Sequence, residues 1–204
     1  KTKDDDFNEH LFIASTHNYL LIFTEFGKVF WKKVWEIPEG SKVSKGRAVQ
    51  NLINIESGDT IRSVINIDNL TDEDYLNNNY LVMCTEGGTV KKTKLEAYSR
   101  PRVNGINAIT IKENDRLLDV KLTNGDNQII IAKRSGKAIN FHESNVRPMG
   151  RTASGVRGIK LENDKDRVIG MVCVTREDSD LFVVSKNGFG KRSSIEDYRI
   201  TKRG

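Results

Sequence analysis

The chain is poor in the residues that cross-link, ligate or kink. It has two cysteines, three histidines, three prolines and two tryptophans in 204 residues. Cys84 and Cys173 both sit in apolar runs, LVMCT and MVCVT, and read as reduced core thiols of a reducing compartment. With no histidine pair near them they make no zinc motif. His10, His17 and His142 are scattered, with no i,i+4 pair and no carboxylate or thiol at metal-ligand spacing. No apolar run approaches the ~20 residues that cross a membrane, so no membrane partner is expected. A signal peptide and an initiating Met are both missing, and the chain reads as a piece of a longer polypeptide, cytoplasmic in location. Catalytic signatures fail as well. Gly188-x-Gly190-Lys191 echoes a phosphate loop, but a Walker motif would need Gly where Ser185 stands and Ser or Thr where Arg192 stands. No G-x-S-x-G occurs, and no carboxylates pair for acid–base work.

What the chain does have is a repeat. An apolar run, a polar residue, a glycine turn and a basic strand recur as LLIFTEFGKVFWKK (residues 20–33), LVMCTEGGTVKKTK (81–94), IIIAKRSGKAINF (129–141) and LFVVSKNGFGKRS (181–193). The turn glycines are Gly27, Gly88, Gly136 and Gly188. After each of the first three copies a basic stretch leads to Gly46, Gly105 or Gly155. A strand and a D-x-h-x-x-h pattern (h apolar) follow, beginning at Asp59, Asp115 and Asp166. The units run over approximately 11–67, 80–122, 128–174 and 181–204, the last incomplete.

The runs are short, β-branched or aromatic, and broken by Gly, Asn, Asp and Ser, so each unit reads as β. A glycine at the last turn position supplies the positive φ that a hairpin needs. No apolar stripe of helical period and length appears. Four short strands per ~50 residues is the arithmetic of a propeller blade, and blades must stack to bury their faces. The expected fold is therefore all-β, a single propeller-like repeat domain over residues 1–204 with about four blades. Residues 69–79, acidic and Asn-rich, read as a surface loop between the first two blades. Trp31 and Trp35, four apart, would share one strand face and serve the core or a blade interface.

Net charge is +5, a small excess, but its placement recurs. The strand after each turn glycine carries Lys28, Lys32 and Lys33; Lys91, Lys92 and Lys94; Lys137; Lys191 and Arg192. The loop around the second glycine carries Lys42, Lys45 and Arg47; Arg100 and Arg102; Arg147, Arg151 and Arg157; Arg199, Lys202 and Arg203. Acidic residues gather elsewhere, at residues 4–6, 68–74 and 162–166. Lysines on strand edges routinely serve only to prevent aggregation. A basic position repeated in every unit, however, becomes a belt suited to a polyanion held through its backbone. Lys45, Arg47, Arg102, Arg147, Arg151, Arg157, Lys202 and Arg203, which flank the repeated glycine or fall at the matching place in the last unit, are the expected contacts to duplex DNA.

Residues 11–53, LFIASTHNYLLIFTEFGKVFWKKVWEIPEGSKVSKGRAVQNLI, together with 146–161 (VRPMGRTASGVRGIKL) and 186–204 (KNGFGKRSSIEDYRITKRG), resemble the C-terminal domain of DNA gyrase A, a bacterial type II topoisomerase component. The resemblance covers essentially the whole chain. It implies a β-pinwheel of about six blades that exchange strands with their neighbours, and a basic rim around which DNA wraps in a right-handed sense. It also implies a place with the rest of gyrase A and with gyrase B in a nucleoid-associated A2B2 complex. The catalytic tyrosine, ATP and Mg2+ would then belong to other regions of the holoenzyme, leaving this chain without a cofactor or catalytic residue. The glycine-tailed basic box of gyrases falls outside the chain, with Thr201-Lys202-Arg203-Gly204 a degenerate echo of it. The equivalent domain of topoisomerase IV and a protein-interaction propeller are the alternatives. An enzymatic propeller would need polar residues on innermost strands. The candidates for those strands, residues 11–14 and 129–132, are apolar.

Overall fold

The computed structural model describes residues 10–41, 43–176 and 178–204. Asp4, Asp5, Asp6 and Lys42, among the charges named above, lie outside them. Thirteen strands form among the described residues. The first hairpin is β1 (Tyr19–Thr24) and β2 (Lys28–Lys33), joined to β3 (Ile61–Ile67). A helix α1 (Glu73–Asn78) precedes β4 (Tyr80–Thr85) and β5 (Thr89–Lys94), then come the short β6 (Ile106–Asn107) and β7 (Leu117–Thr123). The third unit holds β8 (Gln128–Lys133), β9 (Ala138–His142), β10 (Val156–Arg157) and β11 (Val168–Val174), and the fourth holds β12 (Asp180–Val184) and β13 (Gly190–Ser194).

Each hairpin turns on its expected glycine. Gly27, Gly88, Gly136 and Gly188 all have φ between +82° and +85°, a region where a Cβ is strained. The aspartate of each D-x-h-x-x-h pattern completes the turn. Asp59, Asp115 and Asp166 accept from the backbone N–H of Phe26, Gly87 and Ser135, in each case the residue just before the turn glycine. The pattern's apolar residues then open β3, β7 and β11.

Sheet order is β3-β1-β2-β6, then β7-β4-β5-β10, then β11-β8-β9, then the pair β12-β13. Two-residue strands therefore leave their own unit: β6, reached from β5, pairs with β2, and β10, reached from β9, pairs with β5. Isolated parallel bridges from Pro148 to Lys92 on β5 and from Ile200 to Asn140 on β9 also link a later unit to the one before. The first two sheets are each closed by a strand of the unit that follows, the strand exchange that the pinwheel reading implies. Strand β7 touches both β3 and β11, and Ser63 Oγ donates to Val120 O across the first of these contacts. The blades thus converge on β3, β7 and β11, with β6 and β10 at the opposite, outer edge.

Burial explains the unbroken apolar runs. Leu81 and Met83 of β4 pack toward the first blade with Leu21, Phe23, Ile67 and Leu117. Val82 and Cys84 of the same strand pack toward the third with Ile129, Ile131, Phe141 and Met171. A strand covered on both faces shows no polar alternation.

Four expectations change. Residues 11–14 form no strand and Leu11 is 90% exposed. Residues 129–132 lie in β8, the middle of its sheet, so neither segment is innermost. Residues 69–79 are more than a loop: Asp72 caps α1 by accepting from Tyr75 N–H, and Leu70 and Leu76 are buried in the core. Trp31 is buried, but a 3-10 turn (Val34–Glu36) follows β2 and leaves Trp35 61% exposed.

Candidate nucleic-acid interface

A 3-10 turn follows the second strand of every hairpin, at Val34–Glu36, Leu95–Tyr98, Glu143–Asn145 and Ile195–Asp197. It turns the chain away from its own sheet. After the last three of these turns, a crossing segment runs to the edge of the preceding sheet. Side chains four residues past the turn glycines pin these segments: Trp31 Nε1 donates to Tyr98 O (2.9 Å), Lys92 Nζ to Glu143 O (3.0 Å) and Asn140 Nδ2 to Tyr198 O (2.8 Å). Backbone bonds from Met149 N to Lys92 O and from Thr201 N to Asn140 O repeat one register. Arg151 and Arg203 follow at the same distance beyond the bridging residues Pro148 and Ile200, so they occupy equivalent places on successive blades.

The crossing segments carry the arginines. Arg100, Arg102 and Arg151 line one hollow with Glu96, Ser99 and Ile106. Arg102 also borders a second hollow with Lys32, Lys33 and Trp31 on the first blade. Arg157 is exposed on β10, and its carbonyl accepts from Arg203 Nη1 (3.0 Å) while Arg203 Nε donates to Asn145 O (2.8 Å). Arg147 and Lys202 are exposed beside them. Among the described residues, none of Arg100, Arg102, Arg147, Arg151 and Arg157 takes part in an ion pair.

The structure thus joins Arg102 to Arg151 and Arg157 to Arg203. Lys45 and Arg47 stand apart on an exposed stretch. Among the described residues of 37–60 there is no crossing strand, and Gly46 lacks the positive φ of Gly105 (+65°) and Gly155 (+95°). At those two glycines a Cβ would lie 2.7 Å from the Phe30 ring and from Val90 O.

The strand lysines do not form the expected belt. Lys91 and Lys92 are buried. Lys92 lies over the Tyr80 ring and 3.7 Å from the buried Glu143 carboxylate, which also accepts from Thr123 Oγ1 and Asn127 N–H. Lys28 pairs with Glu56, Lys32 with Glu36, Lys137 with Glu162 and Arg192 with Asp180. Lys33 packs over Tyr19 and Trp35. Lys133 and Lys137 hold the Glu162 carboxyl down at about 2 through hydrogen bonds to it. Lys91 has an ammonium group depressed to about 8, first by burial and then by the nearby Arg151 charge. Lys94 and Lys191 stay exposed outside any ion pair among the described residues, but most strand cations are buried or paired, so free positive charge gathers mainly on the crossing segments. Arg100, from the loop before Gly105, and Lys32 and Lys33, from the strand after the turn glycine, join the hollows although they are not among the expected DNA contacts. The four-residue spacing from turn glycine to side chain is a sequence signal for the anchors, and Trp31 pins the turn that leads to Arg100.

Comparison with known proteins gives one consistent neighbourhood. A family model described as "DNA gyrase C-terminal domain, beta-propeller" matches residues 18–68, 79–124, 130–175 and 179–204. DNA gyrase A of Chlamydia trachomatis is 41% identical over 204 residues, covering 99% of this chain and 24% of that protein. The chain thus spans about a quarter of the length of the curated relatives it matches. Two solved structures share the architecture. One is the C-terminal domain of DNA topoisomerase IV (TM-score 0.81, 29% identity, 92% of this chain and 57% of that one). The other is a DNA gyrase A C-terminal domain (TM-score 0.76, 26% identity, 94% and 59%).

Proposed function

The chain belongs to the DNA gyrase C-terminal domain family of β-propellers, and from that premise we propose that it binds duplex DNA and bends it around its outer edge. In full-length gyrase A this wrapping would present DNA to an A2B2 assembly with gyrase B. The ATP- and Mg2+-dependent strand passage of that assembly would then introduce negative supercoils. The observation that carries the reading is the run of arginines, outside any ion pair among the described residues, along successive crossing segments from Arg100 and Arg102 through Arg151 to Arg157 and Arg203. Arginine forks suit phosphate oxygens. Charge spaced along a convex edge holds a bent backbone without reading bases. Each unit adds contacts, and their sum offsets the elastic cost of bending.

Lys45, Arg47, Arg147 and Lys202 extend the proposed path, with Lys45 and Arg47 at its first-blade end. The likeness to a topoisomerase IV C-terminal domain supports a second reading, in which the same edge serves that enzyme.

The test is a mobility-shift titration with a duplex of about 150 bp and arbitrary sequence, near the DNA persistence length. Contact with 6–10 phosphates should cost about 10³–10⁵ in affinity between about 50 and 200 mM salt. Replacing Arg100, Arg102 and Arg151 together by Ala should weaken binding and flatten that slope by about three, one per phosphate contact. Ligation of nicked circles around the full-length protein reads wrapping, and a trapped linking difference of defined sign favours the gyrase reading over the topoisomerase IV reading. Binding that ignores salt, or no binding at low salt, would sink DNA wrapping and leave a protein-binding propeller.

A further inference from the structure

Lys91 is fully buried on β5, and among the described residues no carboxylate stands within ion-pair reach of it. Its Nζ donates to Ala108 O (2.6 Å) and to Arg151 O. These carbonyls belong to two different crossing segments, one closing the first sheet and the other closing the second. The segments also touch directly, since Thr110 N–H donates to Ala153 O and Thr110 Oγ1 to Thr152 O. Gly155 allows this approach: a Cβ there would lie 3.2 Å from the Cβ of Lys91.

The fold does not require a cation at this place. The position three residues past the turn glycine is Phe30 in the first blade and Ile139 in the third, both at least partly buried, and Lys191 in the fourth unit, where it is exposed; among the described residues a buried lysine occurs at this position only in the second. A buried ammonium group with only carbonyl partners is costly to desolvate, and an apolar residue fills the neighbouring sites without that cost. What distinguishes this blade is its arginine hollow. The Arg151 carbonyl that Lys91 holds belongs to a residue that lines this hollow together with Arg100 and Arg102.

We propose that Lys91 is a positioning residue for the arginine hollow: its ammonium group fixes the Arg151 main chain so that three guanidinium groups face one DNA phosphate cluster. The inference rests on the DNA-binding reading given above. The titratable groups facing Lys91 are Arg151 on one crossing segment and Tyr98 at the end of the 3-10 turn, whose hydroxyl shares Ala108 O. Neither supplies a negative charge at neutral pH; burial raises the Tyr98 phenol further. Loss of the Lys91 proton near pH 8 would weaken the hold on both carbonyls.

Two arms test this on the whole chain. The first is amide exchange at Ala153 and Thr110 in the wild type, Lys91→Met and Lys91→Ile, the last matching the third blade in case Met packs poorly. Both variants should speed exchange there and leave β4 and β8 unchanged; unchanged exchange at Ala153 overturns the positioning role whether or not DNA binds. The second arm measures affinity for a fluorescent duplex. Lys91→Met should cost about tenfold, the worth of one charged hydrogen bond. Arg151→Ala should cost a similar factor, and the double variant no more than Arg151→Ala alone. Wild-type affinity should also fall between pH 7 and pH 9 while Lys91→Met stays level. Losses that multiply in the double variant, or identical pH profiles, overturn the inference. Faster exchange at Ala153 in the Lys91 variants of a chain that does not bind DNA would instead refute the DNA-binding reading and leave Lys91 a clamp between crossing segments.

Discussion

Removing one carboxylate, Glu25, should loosen the joint between the first two blades. Glu25 lies in the first hairpin turn and is nearly buried. It accepts from Thr60 Oγ1 (2.6 Å), Arg62 Nη2 (2.8 Å) and Arg116 Nη1 (2.7 Å), and Arg116 sits just before β7 in the next blade. Its backbone carbonyl accepts from Leu117 N–H in the same place. Burial alone would raise this carboxyl, but the Thr60, Arg62 and Arg116 hydrogen bonds overcome it and lower the pKa from 4.5 to about 2. That difference corresponds to about 3 kcal/mol of preference for the charged form. Arg116 is 52% exposed, and screening by water reduces the useful part to about 2 kcal/mol. Glu25→Gln keeps the shape and removes the charge. It should lower stability by about 2 kcal/mol at pH 7, or about 4–8 °C in Tm for a chain of this size. Because the folded-state pKa is depressed, the contribution is complete above pH 4.5 and disappears as pH falls through 2. Urea denaturation of both proteins from pH 7 down to about pH 2.5 reads the gap. A gap that stays constant with pH, or that never exists, would refute the clasp.

The turn glycines offer a paired test. Gly88→Ala and Gly136→Ala share a φ near +84°, but a Cβ at Gly88 meets Ile159 O at 2.7 Å whereas Gly136 faces open space. Denaturant midpoints should show about 1 kcal/mol lost at Gly136 and about 1–3 more at Gly88. Asp115→Ala strips acceptors from Gly87 N–H and Thr85 Oγ1 and should cost about 1–3 kcal/mol, checked by the same titration. The two thiols should resist labelling in the native chain at about pH 8, because burial raises Cys84 far above its usual value and pushes Cys173 up to about 12. A thiol reagent should find both only after unfolding.

Local chemistry made the hairpins legible. Each has a glycine where φ must be positive and an apolar run before it, and the first three have a later aspartate that returns to cap the turn. The strand opened by that aspartate was legible for the same reason. Other features depend on which sheet a segment finally joins. β6 and β10 are two residues long and pair with strands far away in sequence; the gyrase resemblance, and no propensity, announced that exchange. Lys91 and Lys92 look like the exposed lysines of any edge strand, yet β10 and the crossing loop cover them. Trp35 shares its spacing with Trp31 but falls past the end of β2. Among the basic residues expected to contact DNA, the convergence of Arg102 and Arg151 is a tertiary fact, made by two loops that start in different units. Lys45 and Arg47 follow the same sequence logic, but among the described residues their stretch pairs with no sheet edge.

The crossing segments have a mechanical consequence. Arg151 and Arg157 lie on the stretch of chain that closes the second sheet but is reached only from the third hairpin, so pulling on them pulls on a seam. A stiff polyanion bound there would stitch adjacent blades together, since separating them would mean stripping the stretch from its edge and breaking its contacts at once. Ligand binding and blade cohesion would then be one equilibrium seen from two sides, and a curved load distributed over several seams would tighten the very joints that carry it.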